Sequence, residues 1–249
     1  MNLKETNGDV PSIILKIKKK INIFDVDKFF LNKKKYLIYN QKNFTNCTSH
    51  KAKNNQFQII RKEIEKYLDG TNCIIEIGAG YGSNVMRLAK LKKFNNKKIF
   101  SLDYSKNAIK LCRKIVTNSK FKNISYGWCD LYKGIKKISV KPGSIIFTSY
   151  CLHYGKTLPK KFMEFLINLK PKYVIHFEPV YEFFQIKNTH MNLCKKYVIK
   201  NDYSRNFFTI ISSYKNKKKI KIIYVKKNIM GINPFLPFSI VTWKLNEKK

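Results

Sequence analysis

The short apolar run Cys73 to Ile77 passes directly into Gly78-Ala79-Gly80-Tyr81-Gly82, and a helical stripe from Val85 to Leu91 follows. A buried strand that hands over to a helix through three glycines in five residues leaves few folds open. Gly78 and Gly80 permit a tight turn and let a ligand approach the backbone with no Cβ in the way. A helix that begins near Ser83 aims its free N–H groups at whatever occupies the turn. In an open α/β sheet, the first crossover from strand to helix is a binding position.

The same alternation continues downstream. Lys98 to Leu102 reads as a strand ending at Asp103, and Ile109, Leu111, Cys112 and Ile115 lie on a helix that Ser105 caps. Asn123 to Trp128 is a strand running to Asp130, and Gly143 to Thr148 is another. Phe162 to Leu169 is a helix stopped by Pro171, and Tyr173 to Phe177 is a strand ending at Glu178 and Pro179. A mostly polar helical region spans about 185 to 214. Ile220 to Val225 and Phe238 to Trp243 close the sheet as an antiparallel hairpin joined by Lys226 to Pro237. Strands alternating with helices predict an α/β class, with right-handed β-α-β units and a mostly parallel sheet between two helical layers. Seven strands are expected, the last of them antiparallel.

No linker divides the chain, so one domain is expected over 1–249. Residues 1–70 read as a helical cap or lid, 71–249 as the α/β core, and 185–214 as an insertion on the substrate side. In the cap, Ile13, Ile14, Ile17 and Ile21 fall at helical spacing, as do Phe57, Ile60, Ile64 and Leu68, with Gly70 as a stop. The polar stretch Asn40 to Asn55 reads as a loop or lid.

With 44% apolar residues the chain can build a sizeable core. No apolar run approaches the roughly 20 residues of a membrane span, and the N-terminus lacks a secretory pattern. A cytoplasmic protein is expected. The six cysteines form no C-x-x-C pair, so no metal site is expected and they read as reduced core residues. The net charge of +36 raises RNA as a partner. Lysine, asparagine and isoleucine are abundant throughout, however, and the lysines are scattered in short runs such as Lys33–Lys35 and Lys217–Lys219. Compositional drift therefore accounts for the excess better than a selected nucleic-acid surface.

Three details separate the glycine turn from a dinucleotide site. Position 83 is serine where that pattern wants glycine. Glu76, inside the motif, repels a pyrophosphate and suits a cation. Acids recur at the ends of the next two strands, Asp103 and Asp130; the first can accept both hydroxyls of a ribose and the second an adenine amino group. The runs Glu76 to Gly82, Leu102 to Ser105 and Trp128 to Leu131 resemble the class I S-adenosylmethionine-dependent methyltransferases, a Rossmann-like seven-stranded superfamily. The likeness covers about 56–243. It implies S-adenosylmethionine as the cofactor, with Gly78, Ala79, Gly80 and Gly82 against its methionine part and Glu76 behind the loop. It also implies Asp103 on the ribose, Tyr104 against adenine, Asp130 on the adenine amino group, and Ser149 at the fourth strand tip on the cofactor side.

Methyl transfer from a sulfonium needs a nucleophile in line and, for a hydroxyl, a base. The fourth strand runs into Thr148-Ser149-Tyr150-Cys151-Leu152-His153-Tyr154-Gly155. His153 is one candidate base and Glu178, at the fifth strand tip, is the other. Tyr150 and Tyr154 shape the pocket. The Pro-Pro-Tyr context of base amino-group methyltransferases and the Pro-Cys context of pyrimidine C5 enzymes are both absent here. A small-molecule or sugar hydroxyl is the expected acceptor, with 228–237 and 185–214 as the substrate wall. An RNA methyltransferase and a non-catalytic binding protein are the competing readings.

Overall fold

The computed structural model describes residues 35–131, 133–135 and 140–246. The helical expectation for Ile13 to Ile21 lies outside them. The core is a sheet in the order β2-β1-β9-β10-β8-β7-β3-β4-β5-β6, in which β1 is Lys35–Asn40 and β2 is Asn43–Thr48. Its centre comprises β3 (Cys73–Ile77), β4 (Lys98–Asp103), β5 (Ile124–Asp130), β7 (Ile145–Ser149) and β8 (Tyr173–Pro179), all parallel. β10 (Phe238–Leu245) runs antiparallel between β8 and β9 (Ile220–Gly231). The two-residue β6 (Gly134–Ile135) folds back on the end of β5. The seven expected strands are therefore present, the last antiparallel.

Helices cover both faces, which is why β3 is buried at all five positions and reads as a nearly unbroken apolar run. Alternation along each strand sorts the side chains. Ile74, Ile99, Ile145 and Phe147 pack under α1 (Ser49–Glu65), α2 (Ser83–Ala89) and α3 (Lys106–Asn118). Ile75, Phe100, Ile146 and Val241 pack under α4 (Lys160–Asn168) and α6 (Phe207–Asn216). Caps fix the helix starts: Thr48 accepts from the Lys51 N–H, Ser105 from that of Ala108, and Asn188, ahead of α5 (Thr189–Lys200), from that of Met191. No described helix is long and apolar enough to cross a membrane.

Three expectations change. The stretch 40–55 is not a loop. It supplies the end of β1 (Lys35–Asn40), all of β2 (Asn43–Thr48) and the first turns of α1. β1 and β2 form a hairpin whose register runs from Lys35 opposite Thr48 to Asn40 opposite Asn43. The last two strands also do not close the sheet, because β1 adds to β9 through Tyr39 opposite Gly231 and Asn40 opposite Met230. Lys35 to Ile38 thus project beyond the end of β9, over the carboxyl edge of the parallel strands. The helical region 185–214 is two helices, α5 and α6, broken at 201–206.

A buried polar link ties three adjacent strands. The Trp243 indole N–H of β10 donates to His176 Nε2 of β8 at 3.0 Å. That nitrogen must therefore accept, so the ring proton sits on Nδ1 and is donated to Thr148 Oγ1 of β7 at 2.9 Å. Burial pushes the His176 pKa down to about 3, so the ring is neutral at physiological pH. Replacing Trp243 with Phe leaves Nε2 buried without a donor, a cost of about 1–3 kcal/mol. We expect thermal unfolding followed by circular dichroism to show Trp243→Phe melting roughly 3–10 °C lower.

Candidate active site

The glycine turn is held against the end of β4. The N–H groups of Gly78 and Ala79 both donate to the Leu102 carbonyl, at 2.8 and 3.0 Å. All three glycines have positive φ, +75°, +56° and +84°. They serve different ends. A Cβ on Gly78 would stand 2.2 Å from Cys151 Cβ, and one on Gly82 2.9 Å from Ser101 Oγ. A Cβ on Gly80 would meet nothing within 4 Å. Positions 78 and 82 are glycine because protein packs against them, whereas Gly80 presents bare backbone to open space.

The acid of the next strand, Asp103, reaches the turn at Gly80. Asp103 Oδ2 accepts from the Gly80 N–H at 2.7 Å, and Oδ1 accepts from the Ser105 N–H at 2.7 Å. Burial raises the Asp103 pKa against these bonds. The exposed Tyr104 ring stands 6.2 Å from that of Trp128, the register partner of Asp103. Asp130 is buried at the end of β5. Between the two acids lies Cys129, whose thiol is pushed up to about 12 by burial and then by Asp130 and Asp103.

Glu76 is 1% exposed. Its Oε1 accepts from Asn84 Nδ2 at 2.7 Å, and its Oε2 is buried with no hydrogen-bond partner. Burial pushes the carboxyl up to about 8, against the Asn84 hydrogen bond and the charge of Lys53. A cation with N–H donors reaching Oε2 would supply both the missing bond and the missing charge.

At the fourth strand tip the chain turns sharply. Ser149 ends β7, half-buried. Tyr150 follows in the left-handed region with φ +53°, and its hydroxyl donates to the Leu236 carbonyl at 2.8 Å. Burial and the charge of Glu178 push its phenol well up. Glu178, also 1% exposed, accepts from the Cys151 N–H on Oε1 at 3.1 Å and from the Leu152 N–H on Oε2 at 3.2 Å. Cys151 Sγ donates to the Ile77 carbonyl at 3.2 Å, and its thiol is raised well above the ordinary range, by burial first and then by Glu178. His153 is 5% exposed; its Nδ1 makes no hydrogen bond and sits 3.9 Å from Glu178 Oε2. Rings of Tyr154 at 4.0 Å, Tyr203 at 4.8 Å and Tyr150 at 6.0 Å surround it.

The structure thus brings Glu76, the glycine turn and Asp103 together, sets Asp130 beyond Cys129, and places His153 beside Glu178. Sequence reading missed Asn84 as the Glu76 donor, Trp128 beside Tyr104, and Cys151 as the surface on which Gly78 rests. Asn84 falls at the start of the helix that follows the turn, so it could have been found there. The Gly78–Cys151 contact joins positions too far apart in sequence to be read.

A mostly parallel sheet with an antiparallel β10, a glycine turn at its first crossover and acids at the tips of the following strands defines a Rossmann-like cofactor-binding protein. The chain belongs to the methyltransferase-domain family, whose model matches residues 68–228. It is 28% identical over 79 residues to the release factor glutamine methyltransferase of Buchnera aphidicola subsp. Acyrthosiphon pisum (strain APS), covering 32% of this chain and 28% of that protein. It therefore spans about a quarter of that relative's length. Among solved structures it is similar to magnesium protoporphyrin IX methyltransferase (ChlM) from Synechocystis PCC 6803 with bound SAH. That likeness has a TM-score of 0.56 and 14% identity, over 97% of this chain and 95% of that one. It is also similar to the small RNA methyltransferase HEN1, with a TM-score of 0.58 and 13% identity, over 81% of this chain and 26% of that one. The family is one of methyltransferase domains, and the cofactor that this likeness implies is S-adenosylmethionine. The residues present fit that group, because an orphaned carboxylate oxygen and an open backbone edge suit a ligand carrying an ammonium, a sulfonium and a ribose.

Glu76 makes a prediction about the ligand-free protein. Its folded-state pKa lies above the unfolded value, so the native state holds the proton over a pH range in which the unfolded chain has lost it. Stability contributed at this position therefore falls as pH rises from about 4.5 to about 8. Glu76→Gln removes that penalty and keeps an oxygen for Asn84. The variant should melt roughly 5 °C higher than the parent at pH 8, with the gap closing towards pH 4, in paired thermal scans.

Proposed function

We propose that this chain transfers the methyl group of S-adenosylmethionine to a hydroxyl of a small molecule, sugars among the candidates, by in-line displacement with His153 as general base. Glu76 and the turn at Gly78, Ala79, Gly80 and Gly82 would hold the methionine part, Asp103 the ribose, and Tyr104 and Asp130 the adenine, with Ser149 at the edge of the cofactor cleft. The cofactor supplies an electrophilic methyl group on a positively charged sulfur.

The observation that carries the choice of base is the difference between two neighbours. Both oxygens of Glu178 already accept backbone N–H groups, whereas His153 turns Nδ1 towards Glu178 Oε2 at 3.9 Å and leaves Nε2 to take the proton. Glu178 acts through His153 and the strand tip as a positioning residue. It sits where it can steady the imidazolium formed when His153 takes the hydroxyl proton. A non-catalytic reading suffers from the open face at Gly80. The RNA reading gains little from the lysine runs. Lys35 lies at the carboxyl edge, but Lys217 to Lys219 immediately precede β9 and lie at the opposite end of the sheet. Lysines at both ends are what drift produces.

Two measurements test this. Calorimetric titration should show S-adenosylmethionine and S-adenosylhomocysteine binding at about −8 kcal/mol, a micromolar dissociation constant, and Asp103→Ala should lose that binding. No binding to the folded parent chain would overturn the cofactor assignments. With radiolabelled methyl donor and a panel of hydroxyl acceptors beside RNA, His153→Gln should lower kcat about 10²–10⁴-fold while S-adenosylhomocysteine affinity holds. An unchanged kcat would remove His153 from the chemistry.

A further inference from the structure

Outside the cofactor residues, aromatic rings run in an unbroken series from the reacting end to the hairpin. His153 meets Tyr203, and Tyr203 approaches Tyr197 of α5 at 6.3 Å. Tyr197 stacks on Phe235 at 5.6 Å and 22°. Phe235 faces His190 at 6.5 Å, and His190 meets Tyr39 and Phe44 of the hairpin at 4.7 Å each. Three rings of the series are open to solvent: Tyr154 at 56%, Phe44 at 46% and Phe235 at 37%. Exposed aromatics joined through one connected series of ring contacts point to a binding site rather than to scattered surface residues.

The series is also rigid where it is exposed. The loop 232–237 that presents Phe235 is fastened from several sides. Asn233 Oδ1 accepts from the Phe235 N–H at 3.0 Å, and Asn233 Nδ2 donates to the Tyr197 hydroxyl at 2.9 Å. His190 Nε2 bonds the Pro234 carbonyl at 2.7 Å, and Tyr150 bonds that of Leu236. Holding a solvent-facing ring in place this way lowers the ordering cost of stacking another ring on it. The outer segments that carry it have formal charge of one sign. The hairpin 35–48, α5 and the loop 232–237 carry Lys35, Lys42, Lys195, Lys196 and Lys200 and no Asp or Glu. Asp202, in the turn after α5, is the nearest acid in sequence.

The geometry points to a methyl acceptor that is a planar aromatic ring compound bearing negative charge, laid across Tyr154 and Phe235 with its reactive hydroxyl towards His153. This rests on the methyl-transfer reading above and narrows its acceptor from small molecules at large, sugars included, to charged aromatic ones. Ring faces stack on the exposed aromatics, and the acid-free lysine rim selects anions over neutral rings.

The test uses the full chain saturated with S-adenosylhomocysteine and titrated calorimetrically with 1-hydroxy-2-naphthoate, 2-naphthol, cyclohexanecarboxylate and a short oligouridylate. We expect hydroxynaphthoate to bind at least about tenfold more tightly than either the neutral ring or the aliphatic acid. Phe235→Leu and Tyr154→Leu should each weaken it by about tenfold or more, with S-adenosylhomocysteine affinity and thermal unfolding unchanged. Hydroxynaphthoate binding no better than cyclohexanecarboxylate, or indifferent to the loss of both rings, overturns the proposal. Oligouridylate binding more tightly and lost with the same rings overturns it too, and gives the series to single-stranded RNA. Failure of S-adenosylhomocysteine to bind would instead sink the methyl-transfer reading, and the naphthoate titration of the ligand-free chain would still decide whether the rings form a site.

Discussion

The tip of β7 rests on the glycine turn with no room for a methyl group between them, and the site is organised around that contact. Gly78 lies against Cys151, and the Cys151 thiol reaches back to the Ile77 carbonyl at the end of β3. β3 and β7 are neighbours at the place where the sheet order reverses, so their carboxyl ends diverge and leave a crevice. In this chain the walls of the crevice are pinned together at its floor. Glu178, from the next strand out, completes the junction by accepting the N–H groups of Cys151 and Leu152. A sharp left-handed turn at Tyr150 would otherwise leave those donors buried and unpaired. One carboxylate thus sets the path of the segment that carries His153.

The same junction gives the site a field opposite to that of the protein surface. The chain has 15 acids against 51 basic residues, yet Glu76 and Glu178 lie buried at this one junction and Asp103 lies beside the turn. Buried carboxylates are costly unless bonded or neutralised. Glu178 is bonded at both oxygens. Glu76 is bonded at one, and its raised pKa records the deficit. The interior therefore favours a cation, while the lysine-coated exterior favours anions. A cationic cofactor and an anionic acceptor would each meet the field that suits it, from opposite sides of the reacting centre.

The core of this arrangement was legible because local rules govern it. Glycines between an apolar strand and a helix, acids at the tips of the next strands and Ser105 at a helix start are all read within a few residues of each other, and each stands where expected. Phe235 falls within 228–237, the segment expected to wall the substrate. The hairpin was not legible. Its turn and second strand, Asn40 to Thr48, are mostly polar and asparagine-rich, the apolar Tyr36 and Leu37 of the first strand are exposed, and only Ile38, Tyr39 and Cys47 are buried. Their strand form comes from pairing with each other and with the end of β9, a partner nearly 190 positions away. Period-2 burial fades when both faces of an edge ribbon are mostly solvated, so the pattern carries little signal. The sequence also gives no sign of which groups on His153 and Glu178 are already bonded. Which carboxylate oxygen is already taken depends on backbone N–H groups, and those carry no sequence label.

The hairpin matters because of where it overhangs. A seven-stranded sheet ending at β9 would leave the carboxyl edge open beside α5. Adding β1 and β2 beyond β9 places Tyr39 and Phe44 against His190, so the outer strand, α5 and the loop 232–237 form one wall. Tyr150 then joins that wall to the strand tip, its hydroxyl donating to the Leu236 carbonyl from the residue just before Cys151. The surface that would receive an acceptor and the segment that carries the candidate base are held by the same side chain. Displacing one displaces the other, and in the proposed reaction this coupling would keep the acceptor in line with the methyl donor.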